Sequence, residues 1–211
     1  MMNQVTKMTF EPNHANKESG IWIGGDKAYV QEWPLNPEGD PLIHLFSIDC
    51  NQLAKHIHTA TLPADTLISV FSTYSATDYF LDQVTYTGDE LEWNENIVGG
   101  CTFVSVTTSP YMSHSPGACI PSCGVAFSEV ELDEQEFPAF SFLTSSPPNG
   151  IHGITHLLDQ YGIVCQIYSG DFPAPYQDIL GLTDANGYLF LRNDKEAPEA
   201  PLAGIFFVQT A

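Results

Sequence analysis

A chain of 211 residues with 43% hydrophobic and 12% aromatic side chains can bury a sizeable core, and it is too apolar for a disordered acidic tail. Its 26 Asp and Glu face only 6 Lys and Arg, a formal net charge of −20. Lys7, Lys17, Lys27 and Lys55 are followed by no Lys or Arg until Arg192 and Lys195, which argues against nucleic acid and anionic membranes as partners, since both need cationic side chains.

Residues 1–19 are polar, contain Pro12 and Asn13, and read as a flexible lead-in to a single domain over 20–211. They lack the apolar core of a signal peptide, and no window reaches the roughly 20 apolar residues of a membrane span. Cys50, Cys101, Cys119, Cys123 and Cys165 are odd in number and widely spaced, a pattern that suits thiols in a reducing compartment. A cytoplasmic location is expected.

Strand signals follow in chain order: "AYVQEW" from Ala28, "LIHLFSID" from Leu42, "TLISVFSTY" from Thr66, "YFLDQVTYT" from Tyr79 and "CTFVSVTT" from Cys101. "GVAFSEVEL" from Gly124, "IVCQIYS" from Ile163, "DILGLTD" from Asp178, "GYLFLRN" from Gly187 and "GIFFVQT" from Gly204 complete them. Each is a short run rich in β-branched and aromatic residues between turn formers. Helix signals are confined to "DCNQLAKHIH", which Asp49 or Asn51 would cap, and to "HGITHLLDQ", weakened by Gly153. The fold class expected is α+β, with antiparallel-rich sheets and few helices.

Two strand pairs recur at nearly equal spacing: Ile43 to Ile163 is 120 residues, and Leu67 to Tyr188 is 121. A duplication into two related halves would produce this. Asn186-Gly187 reads as a two-residue hairpin turn. "TDANG" also resembles part of a calcium loop, but the later glutamate and alternating oxygen ligands are missing.

Gly24-Gly25 lacks the G-x-G-x-x-G spacing of a dinucleotide site, and no P-loop pattern occurs anywhere. The paired glycines therefore read as a turn. With Trp33, Pro34, Gly39, Pro41 and Leu42 they compose an opening that resembles the YwqG-like bacterial proteins, a domain of unknown function. "CQIYS", "TDANGYLFL" and the terminal "FFVQ", with Gln166, Asp184 and Gly187, are similar to that family too. The resemblance covers about residues 20 to 75 and 150 to 209, departs at Ser47 where that strand commonly carries Gln, and has no match across 76 to 148. It implies an α+β fold with two related halves and transfers no catalytic residues.

Chemical signatures are weak. Cys119 and Cys123 with His114 have a C-x-x-x-C spacing unlike a zinc knuckle. His152 and His156 lie four apart without the glutamate of H-E-x-x-H, and His56 and His58 diverge if their segment is helical. Hydrogen-bonded histidines and plain thiols are the favoured readings, so no metal and no cofactor is expected. No G-x-S-x-G elbow occurs, and cation-poor composition disfavours phosphoryl transfer; a non-enzyme is expected.

Charge carries the functional expectation. "TGDELEWNEN" places Asp89, Glu90, Glu92 and Glu95 beside Trp93, read as an exposed aromatic. "SEVELDEQEF" concentrates Glu129, Glu131, Asp133, Glu134 and Glu136. Carboxylates interleaved with an aromatic can steer and anchor a basic surface, although a merely solvated strand face is the plain alternative. The expectation is an acidic cytoplasmic protein that binds a basic protein, an immunity protein occluding a bacterial toxin. The alternative is a small-molecule binder or hydrolase with a cleft between two halves.

Overall fold

The computed structural model describes residues 2–12, 18–57, 62–133, 137–193 and 202–210. Among them, ten strands form one antiparallel sheet: β1 (Met2–Glu11), β2 (Ile21–Ile23), β4 (Ile43–Asp49), β5 (Leu67–Ser72), β6 (Thr102–Thr107), β8 (Cys123–Asp133), β9 (Phe142–Leu143), β10 (Tyr161–Tyr168), β11 (Ala185–Arg192) and β12 (Gly204–Thr210). Their order is β12-β11-β10-β9-β1-β8-β2-β4-β5-β6, and β3 (Lys27–Ala28) pairs separately with β7 (Ser113–His114). The helical segments are short: α1 (Cys50–Leu53), α2 (Leu81–Val84) and α3 (Glu90–Glu92), the last continuing into a π-helical turn at Trp93–Val98. The expected antiparallel-rich architecture with few helices is present, and the large curved sheet dominates it.

The sheet bends until its two ends approach. Thr102 Oγ1 on β6 donates to the Phe206 carbonyl on β12 at 2.6 Å. A Cβ on Gly204 would fall 2.5 Å from Val104 Cγ1, so glycine is what lets β12 approach β6 there. The remaining edge of β12 is capped by Tyr86 N, which donates to the Val208 carbonyl at 3.3 Å. A sheet with both edges met in this way is nearly a barrel and offers little edge to another chain.

Alternation fills both faces. Leu189, Leu191, Phe206 and Val208 belong to the main core with Phe46, Ile48, Ile68 and Val70. The intervening Tyr188, Phe190, Ile205 and Phe207 pack outside the sheet against Tyr86, Ile97, Ile154 and Leu157. That double burial explains why β11 and β12 read as continuous apolar runs instead of alternating ones. On the other half's outer face Phe71 packs with Ala28, Val30 and Leu42.

The hairpins β4–β5 and β10–β11 have the same register. His44 pairs with Phe71 and Ile163 with Phe190; Phe46 pairs with Val70 and Cys165 with Leu189. Each residue lies 119 positions after its counterpart (44 to 163, 71 to 190), which sharpens the offsets of 120 and 121 read from the sequence. Both hairpins carry a bulge at the same place, where Leu45 and Phe46, or Val164 and Cys165, both enter the main core. The long strands β1 and β8 pair with each other at the centre, with Met8 opposite Phe127, while β1 lies beside β9 and β8 beside β2.

Several expectations are corrected. The presumed lead-in contains β1, in the middle of the sheet: Val5, Thr6 and Met8 are buried, and the Thr6 hydroxyl is satisfied by Glu129 Oε1 at 2.8 Å. "YFLDQVTYT" is α2 and its flanks, because Leu81 and Val84 bury on one face of a turn and Thr85 Oγ1 bonds back to the Leu81 carbonyl. "DILGLTD" forms turns, with Gly181 at φ 97°. Asn186-Gly187 is inside β11, paired to Gln209 and Val208. "AYVQEW" contributes only Ala28 to a strand, and "HGITHLLDQ" forms turns instead of a helix. The α1 reading survives in shortened form, with Asp49 accepting from Gln52 N as its cap. Gly24 and Gly25 take the positive φ expected of them, 60° and 89°, but instead of closing a local turn they donate to the Leu45 and Ile120 carbonyls at 2.8 Å each.

Candidate functional site

The first acidic segment is built by local hydrogen bonds. Asp89 caps α3, accepting from Leu91 N at 2.7 Å. Glu92 Oε2 accepts from both Thr87 N and Thr87 Oγ1, at 2.6 and 2.9 Å, so this carboxylate closes its own turn. Trp93 is half-buried, its ring edge-on to Tyr86 with centroids 5.6 Å apart, and so belongs to the outer core; reading it as an exposed aromatic is corrected. Asp89, Glu90 and Glu95 remain exposed. Asn96 anchors the segment from below, its Nδ2 donating to the Asp82 and Thr85 carbonyls.

The second segment lies on β8. Glu129, Glu131 and Asp133 alternate onto one exposed face, while Val130 and Leu132 are half-buried on the other, as a strand period of two requires. Glu134 and Glu136 lie outside the described residues.

A chain of contacts runs from Phe137 to the first acidic segment. Phe137, four positions after Asp133, has its ring 2.7 Å from where a Gly150 Cβ would stand. Gln209 Oε1 accepts from His152 N at 3.1 Å, and its Nε2 donates to the Tyr86 and His152 carbonyls at 2.6 and 2.9 Å. Tyr86 leads directly to Thr87 and the Glu92 turn. Gly153, at φ 70°, abuts Thr87 so closely that a Cβ there would overlap the Thr87 carbonyl. Along this chain is a crevice lined by Phe137, Asn149, Gly150, Asn186, Tyr188 and Gln209 among others. It gives the centre of a water-sized sphere about 10 Å³, room for one small group.

Two buried acceptors stand at or behind this crevice. Asn186 is 8% exposed and its Oδ1 has no hydrogen-bond partner. Gln166 is fully buried beside Tyr188; its Nε2 donates to the Pro138 and Phe140 carbonyls at 2.7 and 3.1 Å, and its Oε1 has no donor. Sequence reading places Asn186 in a turn and Gln166 only in a family resemblance, and passes over Gln209. The available signal was a lone amide within each of the apolar runs "CQIY" and "FVQT", a buried polar group that requires explanation.

The alternative chemical groups are placed in structural roles. His44 Nε2 is 2.8 Å from Ser47 Oγ, Ser47 Oγ is 2.6 Å from Ser69 Oγ, and Tyr29 N donates to Ser69 Oγ at 2.9 Å. This histidine–serine chain is buried, with both serines at zero exposure and His44 at 2%. His156 Nε2 meets the Tyr86 hydroxyl at 2.6 Å, His152 Nδ1 faces the Gly150 carbonyl at 3.1 Å, and His56 Nε2 faces the Glu18 carbonyl at 2.9 Å; His58 lies outside the described residues. His114 Nδ1 is 3.4 Å from Asp26 Oδ2 on the surface.

All five cysteines are thiols. Burial, then the Asp49 charge, pushes Cys50 up to about 12. Burial raises Cys123 and Cys165 as well, and Cys101 through burial and then Glu38 and Glu95. A raised thiol is a poor nucleophile at neutral pH. No group of three His, Cys, Asp or Glu poised for a metal occurs among the described residues, and no helix there is long and apolar enough to cross a membrane. No protein-family model matches the chain, and no curated protein matches its sequence.

Proposed function

We propose that this chain is an acidic binding protein that captures a basic protein, and that in the cell it acts in the cytoplasm as an immunity protein covering a bacterial toxin. The observation that carries the reading is the charge: 26 carboxylates against 6 cations, with none of the cations between Lys55 and Arg192. Self-repulsion of this size destabilises a compact body, and a cationic partner offsets it while accelerating association. Glu129, Glu131 and Asp133 on one strand face, and Asp89, Glu90 and Glu95 exposed on the α3 turn, supply the partner surface in this reading. Kinship with the YwqG-like proteins, and an origin of the two hairpins by duplication, belong to the same proposal.

The test is co-purification with the product of the adjacent gene, followed by titration at increasing salt. Capture by charge predicts that log Kd rises steeply with log salt and that Glu129→Lys combined with Glu131→Lys weakens binding most at low salt. An affinity indifferent to salt would overturn the reading.

A further inference from the structure

We infer that Asn149 is a self-modification site, at which the side-chain amide closes on the backbone nitrogen of Gly150 and the residue converts, without an enzyme, into aspartate and isoaspartate. The chain contains two Asn-Gly pairs, at 149–150 and at 186–187. Glycine favours such a cyclisation because no side chain shields its nitrogen. Only the first pair lies where the fold permits it. Asn149 is exposed in a turn that follows Pro147 and Pro148, and among the described residues neither its side chain nor the Gly150 nitrogen has a hydrogen-bond partner. Asn186, by contrast, is 8% exposed within β11 and pairs with Tyr168 and Gln209, while Gly187 pairs with Ile167 and Val208. A Cβ on Gly187 would fall 2.3 Å from Phe206 Cζ, so the packing leaves no space there for a five-membered ring.

The Gly150 nitrogen, on losing its proton to base, attacks Asn149 Cγ. The new C–N bond closes a succinimide, and the side-chain nitrogen takes up a proton and leaves as ammonia. Solvent water then opens the ring. Addition at Cγ breaks the new bond and gives aspartate; addition at the main-chain carbonyl breaks the original peptide bond and gives isoaspartate, with the chain rerouted through Cγ. No electron changes hands, and water is the sole co-reactant. Either product adds one negative charge to the formal −20. Isoaspartate also lengthens the main chain by a methylene just before Gly150, where the Phe137 ring stands 2.7 Å from the place of a Cβ, so that ring must shift.

The test holds the full chain folded at pH 8 and at pH 6, and unfolded in urea at pH 8, and maps each sample by mass after digestion. In the folded chain at pH 8 the peptide carrying Asn149 is expected to exchange NH2 for OH and to accept methyl groups from S-adenosylmethionine through an isoaspartyl carboxyl methyltransferase, with slower conversion at pH 6. The peptide carrying Asn186 should convert roughly a hundredfold more slowly while the chain is folded, the factor that an opening cost of about 2.8 kcal/mol imposes, and as fast as Asn149 in urea. Hydroxylamine, which cleaves succinimides, should cut the folded protein after residue 149. Asn149→Gln should abolish both the cut and the methyl acceptance while leaving the circular dichroism spectrum unchanged. Conversion of Asn149 in urea but not in the folded chain would overturn the inference. Equal conversion at 149 and 186 in the folded chain would overturn it too, since the fold would then make no selection between the two pairs.

Discussion

The hairpins β4–β5 and β10–β11 share register and bulge, yet they carry different polar groups on their outer faces. At 47 and 69 the first carries two serines, whose hydroxyls form a series with His44 Nε2 and Tyr29 N. At the matching positions 166 and 188 the second carries glutamine and tyrosine, and where the first has Leu67 the second has Asn186. Two amide oxygens there have no donor within the protein. One backbone arrangement thus carries a histidine–serine series on one hairpin and a glutamine–asparagine pair on the other. What differs is side-chain chemistry laid over the same ladder, which is how a scaffold acquires a site without changing its fold.

The harshest way to break the comparison is to remove what the two halves share. Phe206 sits in the common core with its ring centroid 6.3 Å from that of Phe46, so Phe206→Ala should cost about 3–5 kcal/mol. Urea unfolding followed by Trp fluorescence and by far-UV circular dichroism should give one coincident transition; two separate transitions would mean that the halves are independent. Next in size is the contrast itself. Ser69→Ala leaves Tyr29 N without an acceptor and should lose about 1–3 kcal/mol, whereas Asn186→Leu removes an orphaned oxygen and should be neutral or stabilising. Equal losses from the two would remove the distinction drawn here.

Alkaline titration sharpens the picture further. The folded Cys50 thiol stays protonated to about 12, against an ordinary 9.0, so above pH 9 the unfolded state ionises first and stability falls as pH rises through that window. The slope from this group approaches ~1.4 kcal/mol per pH unit. Denaturation midpoints measured at pH 8, 9 and 10 should decline, and less so in Cys50→Ala. Tyr188, raised by burial on the other half, adds to the decline above pH 10 by the same logic. The smallest effect is general: added salt screens the repulsion of −20 and should raise Tm by a few degrees, roughly, between low and physiological ionic strength. A falling Tm would show that the carboxylates are already compensated.

Seven of the sheet strands were legible from the sequence because their hydrophobic runs are short and bounded by turn formers, as at "IVCQIYS" and "GIFFVQT". Beta1 was hidden because its buried face includes Thr6, whose hydroxyl is satisfied only by Glu129, 123 residues away. Alpha2 was hidden because Phe80, Leu81 and Val84 have strand-like composition and only tertiary burial selects the turn. The acidic segments could be named, but the meeting of Phe137 with Gly150 could not, since nothing local announces it. The crevice was invisible for the same reason: it draws on residues from 137 to 210 that only strand pairing and loop packing bring together.

The crossed placement of β1 and β8 has a mechanical consequence. Each long strand is lodged against a short strand from the far part of the chain, β1 against β9 and β8 against β2, so neither part can finish its own sheet in isolation. A ribosome that has released residues 1 to 110 has made a fragment still waiting for its keystone, and assembly becomes final only when the later strands arrive. Cutting the chain between β7 and β8 should therefore yield two pieces that are insoluble apart and recover a native spectrum when refolded together.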